Sequence, residues 1–198
     1  MKRKVAILSV VIIALSLIAY GTVAYFSTTG TAHNVMTMGN VKIDLADKTI
    51  VGEAEKDFNE IYPNGMPVMP STEASKLVYV TNTGSNPCYV RVRVEKEVIP
   101  ADEGSQLDTG YIGIDFDTDH WVDGQDGYWY YKTALASGLE TEKLFTTVTF
   151  NKAMGNDYMN CTFNIIVSAQ AVQSSNNAFG SEAGASVLDV VGWPADYK

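Results

Sequence analysis

The sequence predicts an all-β fold, a jelly-roll-like antiparallel β-sandwich that follows an N-terminal export helix. Three observations carry this expectation. Apolar and polar residues alternate with period two in one segment after another; helical periodicity is scarce; and polar, turn-forming stretches separate the alternating runs. The chain has 198 residues. With residues 1–24 set aside as a signal peptide, residues 25–198 suit a single domain.

The first segment is the export helix. Lys2, Arg3 and Lys4 form a basic start, and Val5 to Phe26 then run without a charge. Small residues follow at Gly21 and Ala24, so a signal peptidase would cut between Ala24 and Tyr25. Twenty-two uncharged residues make a helix of about 33 Å, long enough to span a bilayer. A retained anchor therefore stays open beside cleavage. Either way, everything after Ser27 is expected outside the cell, with membrane contact confined to the uncut form in the first reading.

The strands follow in order. Val41 to Leu45 alternates cleanly, as do Leu77 to Val80 and the long run from Cys88 to Val98. Tyr111 to Phe116 is a shorter candidate. Trp121-Val122 and Tyr128 to Lys132 flank Asp123-Gly124-Gln125-Asp126-Gly127, whose glycines and aspartates suit a hairpin turn. Parity sets Tyr128 and Tyr130 on one face and Trp129 and Tyr131 on the other. Leu144 to Phe150 and Met159 to Val172 complete the set. Residues 52–75, with Pro63, Pro67 and Pro70, read as a long loop carrying one helical turn around Glu53 to Phe58. A short helix from Glu182 to Val191 is weakly capped.

Charge limits the partners. The net charge is −9, and none of the 23 acidic residues lies in residues 1–24, whereas three of the 14 basic ones do. The remainder is more acidic still and would repel phosphate backbones, so no nucleic-acid partner is expected. Cys88 shares its strand face with Val90, Val92 and Val94, and Cys161 shares one with Phe163 and Ile165. Two inward cysteines in an exported protein fit either a disulfide or two buried thiols.

Several short patches carry a family likeness. Gly21 to Phe26, followed by Met38-Gly39-Asn40-Val41-Lys42-Ile43-Asp44-Leu45, resembles the export signal and first strand of the TasA and camelysin (CalY) family. The likeness continues in Val80-Thr81-Asn82-Thr83-Gly84-Ser85 leading to Tyr89-Val90-Arg91-Val92. It recurs at Gly127 to Lys132, at Leu144-Phe145 and at Ala169 to Gln173. The resemblance implies a jelly-roll fold and processing by a SipW-type signal peptidase. It also implies a biofilm matrix role in Gram-positive bacteria, with self-association into fibres in which a freed N-terminal segment completes the sheet of a neighbour. The chain departs from TasA in its shorter length and its two cysteines.

The residues after the cut suit that role. Tyr25 to Met36 is aromatic, threonine-rich and free of proline, which favours an extended strand. Tyr25, Phe26, Thr28, Val35 and Met36 are its candidate donor-strand anchors. Such a strand could add to an exposed edge of another copy or fold back on its own sheet.

Two sites of chemistry come into question. Camelysin-type proteins are described as metalloproteases, but there are only two histidines, His33 and His120, and no His-Glu-x-x-His motif. No catalytic residue and no resident cofactor is therefore expected. The sharper pattern is Asp115, Asp117, Asp119, Asp123 and Asp126, carboxylates at calcium-loop positions 1, 3, 5, 9 and 12. His120 stands where that loop needs glycine, so calcium binding and a merely hydrated acidic surface both remain open. The main expectation is an exported matrix subunit. A surface metallopeptidase and a membrane-anchored binding module are the alternatives.

Overall fold

The computed structural model describes residues 26–28, 34–38, 41–63, 66–100, 107–176 and 186–195. Within these, alternation becomes two packed sheets. The chain opens with β1 (Phe26–Thr28), β2 (Asn34–Met38), β3 (Ile43–Val51) and β4 (Ala54–Asp57). The single-turn helix α1 (Phe58–Ile61) leads to β5 (Met66–Val68), β6 (Glu73–Asn82) and β7 (Cys88–Ile99). Next come β8 (Ile112–Ile114), β9 (Trp121–Asp123), β10 (Tyr128–Tyr131), β11 (Phe145–Phe150) and β12 (Thr162–Gln173).

One sheet runs β5-β1-β12-β7-β10-β9, with β2 also pairing β12, and the other runs β4-β3-β6-β11-β8. All pairings in the second sheet are antiparallel. In the first, the two N-terminal strands instead lie parallel to β12. The all-β sandwich expected from the alternation is what the structure shows.

Period two decides which residues enter the core. Val78 and Val80 of β6 face Val90 and Val92 of β7 and Phe163, Ile165 and Val167 of β12, all in one buried cluster with Trp121 and Phe145. At roughly 25 cal/mol per Å² of apolar surface removed from water, this interior is the main stabilising contribution. Cys88 lies inward with Val90 and Val92, as its parity requires. The hairpin of β9 and β10 pairs Trp129 with Asp123 and Tyr131 with Trp121. Its turn places Gln125 at φ 59° and Gly127 at φ 90°, a left-handed conformation that glycine adopts without strain.

Two expectations need correction. The stretch 52–75 is not a long loop. Residues 54–57 pair with β3, and the helical turn falls at Phe58–Ile61, not Glu53 to Phe58. Asp57 explains the shift, because its carboxylate accepts from the backbone N–H groups of Asn59 and Glu60 and so caps the turn. At the other end, the described part of Glu182 to Val191 holds only a 3-10 turn, Val187–Asp189, closed by a capping box between Ser186 and Asp189. The cysteines had two open readings, and the ladder decides between them. The β7–β12 ladder pairs Cys88 with Gln173 at one end and Ile99 with Thr162 at the other. Cys161 precedes Thr162, so the two cysteines lie roughly 40 Å apart at about 3.3 Å per residue. A disulfide needs Cα atoms within about 7 Å. Both are buried free thiols.

Among the described residues no helix is long and apolar enough to cross a membrane. The apolar stretch with Ala24 and Tyr25 lies outside them, as does His33.

Candidate functional site

The feature that sets this sandwich apart is how its first strands meet its last. β12 is twelve residues long and hydrogen-bonded to β7 along one whole side. On its other side, strands of the N-terminal ribbon pair with both of its ends. Ser27 and Thr28 of β1 stand opposite Thr162 and Phe163, and Asn34 to Met38 of β2 stand opposite Ser168 to Val172. Four of the five candidate donor residues, Phe26, Thr28, Val35 and Met36, thus lie in strands on one edge, while Tyr25 falls outside the described residues. The outer side of β1 is taken by β5, with Ser27 opposite Pro67. Proline has no N–H to donate, a usual device for blunting an edge.

After the ribbon the chain enters β3 through Lys42. There the Asn-Thr-Gly turn between β6 and β7 grips the backbone. The Gly84 N–H donates to the Lys42 carbonyl at 2.8 Å, and the Thr83 hydroxyl donates to the same oxygen at 3.4 Å. Asn82 is fully buried and holds the turn in shape. Its amide nitrogen donates to the carbonyls of Asn86 and Leu135 at 2.9 and 3.0 Å, and its side-chain oxygen accepts from the Gly84 N–H at 3.0 Å. A Cβ on Gly84 would stand 2.8 Å from the Lys42 nitrogen, so the close approach requires glycine.

The Tyr-Val-Arg step next to this turn splits by parity. Val90 enters the main core, while Tyr89 and Arg91 face the outside of the first sheet. There Arg91 is nonetheless buried. Its Nε and Nη2 donate to Gln170 Oε1 at 2.9 and 2.7 Å, and Nη1 donates to the Tyr130 hydroxyl at 3.0 Å. The guanidinium lies 3.8 Å from the Tyr128 ring centroid and 4.8 Å from that of Trp193. A C-terminal strap holding Val187, Val190 and Trp193 closes over this group and makes a second small core. The aromatic hairpin therefore divides as its parity requires. Tyr128 and Tyr130 serve the strap, whereas Trp129 and Tyr131 pack against or within the main interior.

The aspartate series does not converge on a cation. Asp115 accepts from the backbone N–H groups of Thr146 and Thr147 at 2.9 and 2.7 Å, and from the Thr146 hydroxyl. Asp117 turns to His120, whose Nδ1 lies 2.7 Å from its Oδ2, and to the N–H groups of Asp119 and His120. Asp123 accepts twice from Gln125, and Asp126 accepts from the Tyr128 N–H and the Tyr130 hydroxyl. Asp119 is marked by its carbonyl, which accepts from Lys132. Asp117, Asp123 and Asp126 thus accept from backbone N–H groups of their own turns, while Asp115 reaches across to β11. Among the described residues no three His, Cys, Asp or Glu side chains come together as a metal would need.

Electrostatics in this loop follow the contacts. The hydrogen bond to Asp117 raises the His120 pKa above its ordinary value, outweighing the opposing effect of desolvation. Desolvation pushes Asp117 up, but its hydrogen bonds from the His120 ring and two backbone N–H groups outweigh that and lower it. Burial pushes the Cys88 thiol up to about 12.

One buried pair escaped the sequence reading. Asp47 and Lys76 lie on the inward faces of β3 and β6, bonded to each other. Parity could have found them, because Asp47 keeps step with Ile43 and Leu45, and Lys76 with Val78 and Val80.

The site and fold together define an all-β sandwich whose opening ribbon completes the edge of its closing strand. Residues 1–63 match the family model described as camelysin metallo-endopeptidase, so the TasA and camelysin resemblance is borne out over that segment, which includes the ribbon and β3. No curated protein and no solved structure matches the chain. The described residues do not supply the ligand set that a metallo-endopeptidase would require.

Proposed function

We propose that this chain is an exported structural subunit of an extracellular matrix or fibre, in which the N-terminal ribbon of one copy occupies the β12 edge of the next. One observation carries the reading: the ribbon directly follows the expected cut, pairs parallel with β12, and continues into β3 at Lys42. To leave its own edge, such an arm gives up its pairings with β12 and β5. The same backbone hydrogen bonds then form whether the arm comes from the same copy or another, so exchange costs little besides association. Cleavage after Ala24 by a SipW-type signal peptidase would free the arm, while the uncut form keeps it tethered at the membrane. Fibre growth would be self-association, requiring no nucleic acid and no cofactor.

The test is removal of the arm. Protein lacking residues 25–38 should form no filaments and should bind a synthetic peptide of those residues, detected by calorimetry. Filaments of unchanged appearance from the truncated protein would sink the proposal. The description of the matched family favours a second reading, a surface metallo-endopeptidase. Chelator-sensitive casein cleavage by protein free of host proteases would support it.

A further inference from the structure

We propose that Lys76 and Asp47 condense with each other to form an intramolecular isopeptide bond that ties β6 to β3 covalently. The pair is built for contact. Lys76 Nζ lies 2.6 Å from both Oδ1 and Oδ2 of Asp47, and the two side chains are 4 % and 0 % exposed. Their strands are neighbours, with Asp47 opposite Val78 and Lys48 opposite Leu77, so the pair is diagonal on one sheet face. The ring of Phe58, the buried first residue of α1, lies over the amine at 4.1 Å and shields it from water. Thr49, buried beside them, uses its hydroxyl on the Ser75 carbonyl. The ion pairs Lys48–Asp57, Arg93–Glu95 and Lys143–Glu55 are all far more exposed.

Burial changes the chemistry of such a pair. Two charges held away from water lose their hydration, so the proton-transferred form, a neutral amine beside a carboxylic acid, competes with the ion pair. Desolvation lowers the Lys76 pKa against the pull of Asp47, which favours the nucleophilic free amine. Proximity does the rest, since well-oriented intramolecular partners reach effective concentrations on the order of 10⁵–10⁸ M.

The step balances within the pair. The ammonium gives one proton to the carboxylate. After rotation about Cβ–Cγ turns the carbonyl face toward Nζ, the amine attacks Cγ and forms the C–N bond. A second proton passes from nitrogen to the departing hydroxyl, the C–O bond breaks, and water leaves to bulk. No oxidant or other reactant enters, and the neutral amide that remains removes two buried charges.

The bond would have a mechanical use. β3 is the strand into which the N-terminal ribbon runs, so tension on that ribbon passes directly into β3. An amide to β6 would carry the tension to the middle of the second sheet. The chemistry stands whether or not the ribbon exchanges between copies.

The experiment is mass spectrometry of the denatured full chain, with a proteolytic digest and a Lys76→Arg variant. The expected native mass is one water below that of the sequence beginning at the observed N-terminus. Trypsin should fail at Lys76, and a branched peptide should join the β3 and β6 segments. Lys76→Arg should restore the unmodified mass, and because masses are read on denatured chains, its folding does not matter. An unmodified mass for folded wild-type protein overturns the proposal. So does a lost water that maps to an aspartyl imide at Asp123-Gly124 or Asp126-Gly127.

Discussion

Gly84 stands so close to Lys42 that its N–H bonds the Lys42 carbonyl at 2.8 Å and a side chain on it would meet the Lys42 nitrogen at the same distance. This contact fixes the point at which the N-terminal ribbon leaves the sandwich. Gly84→Ala must push two backbones apart and should cost about 1–3 kcal/mol, as overpacking does. Chemical denaturation measures that cost. A variant as stable as the parent would mean the turn does not grip β3.

Arg91 joins the strap to the sheet through Gln170, Tyr130, Tyr128 and Trp193. Arg91→Ala should destabilise by about 3 kcal/mol, because buried acceptors lose a charged donor and two rings lose a cation. Trp193 fluorescence should shift to the red as the strap loosens. An unchanged emission spectrum would show that the strap is held by its apolar residues alone.

The Asp117–His120 contact gives a pH signature with a definite sign. His120 is raised above 6.5, so its contribution to stability is full below that value and is lost as pH rises through the folded-state pKa. Asp117 is lowered below 3.8, so its contribution is present above that value and is lost as pH falls through the folded-state pKa. The contact therefore helps most between the two. Proton NMR should find His120 titrating above 6.5 in the parent and nearer to it in Asp117→Asn; identical curves would dismiss the contact in solution.

Both cysteines should react as free thiols once the chain is unfolded. Alkylation without reductant should label two sites in unfolded protein, while Cys88, with its thiol pushed up to about 12, should resist in the native state. No labelling before reduction would mean a bridge and a different β7–β12 register.

Much of the strand plan was legible because alternation is local. The runs at Cys88 to Val98 and Met159 to Val172 differ from β7 and β12 by at most three residues at an end. The division of Tyr128 and Tyr130 from Trp129 and Tyr131 followed from parity alone. The segment 52–75 was misread because its short strands pair with partners set by the sandwich, not by their own sequence. The contacts of the aspartate series were illegible for a related reason. Asp117 and Asp123 accept in backbone turns and Asp115 accepts from β11, roles that a spacing rule does not register.

By itself the sequence determined which side chains face inward, since a period of two leaves each strand residue only one of two sides. It also marked the likeness of the opening segment to the camelysin family. Only the tertiary structure decided which strands became neighbours: the first against the last, the two cysteines at opposite ends of one ladder, and Lys76 against Asp47. Those choices rest on packing and hydrogen bonding between residues far apart in the chain, and no local pattern contains them.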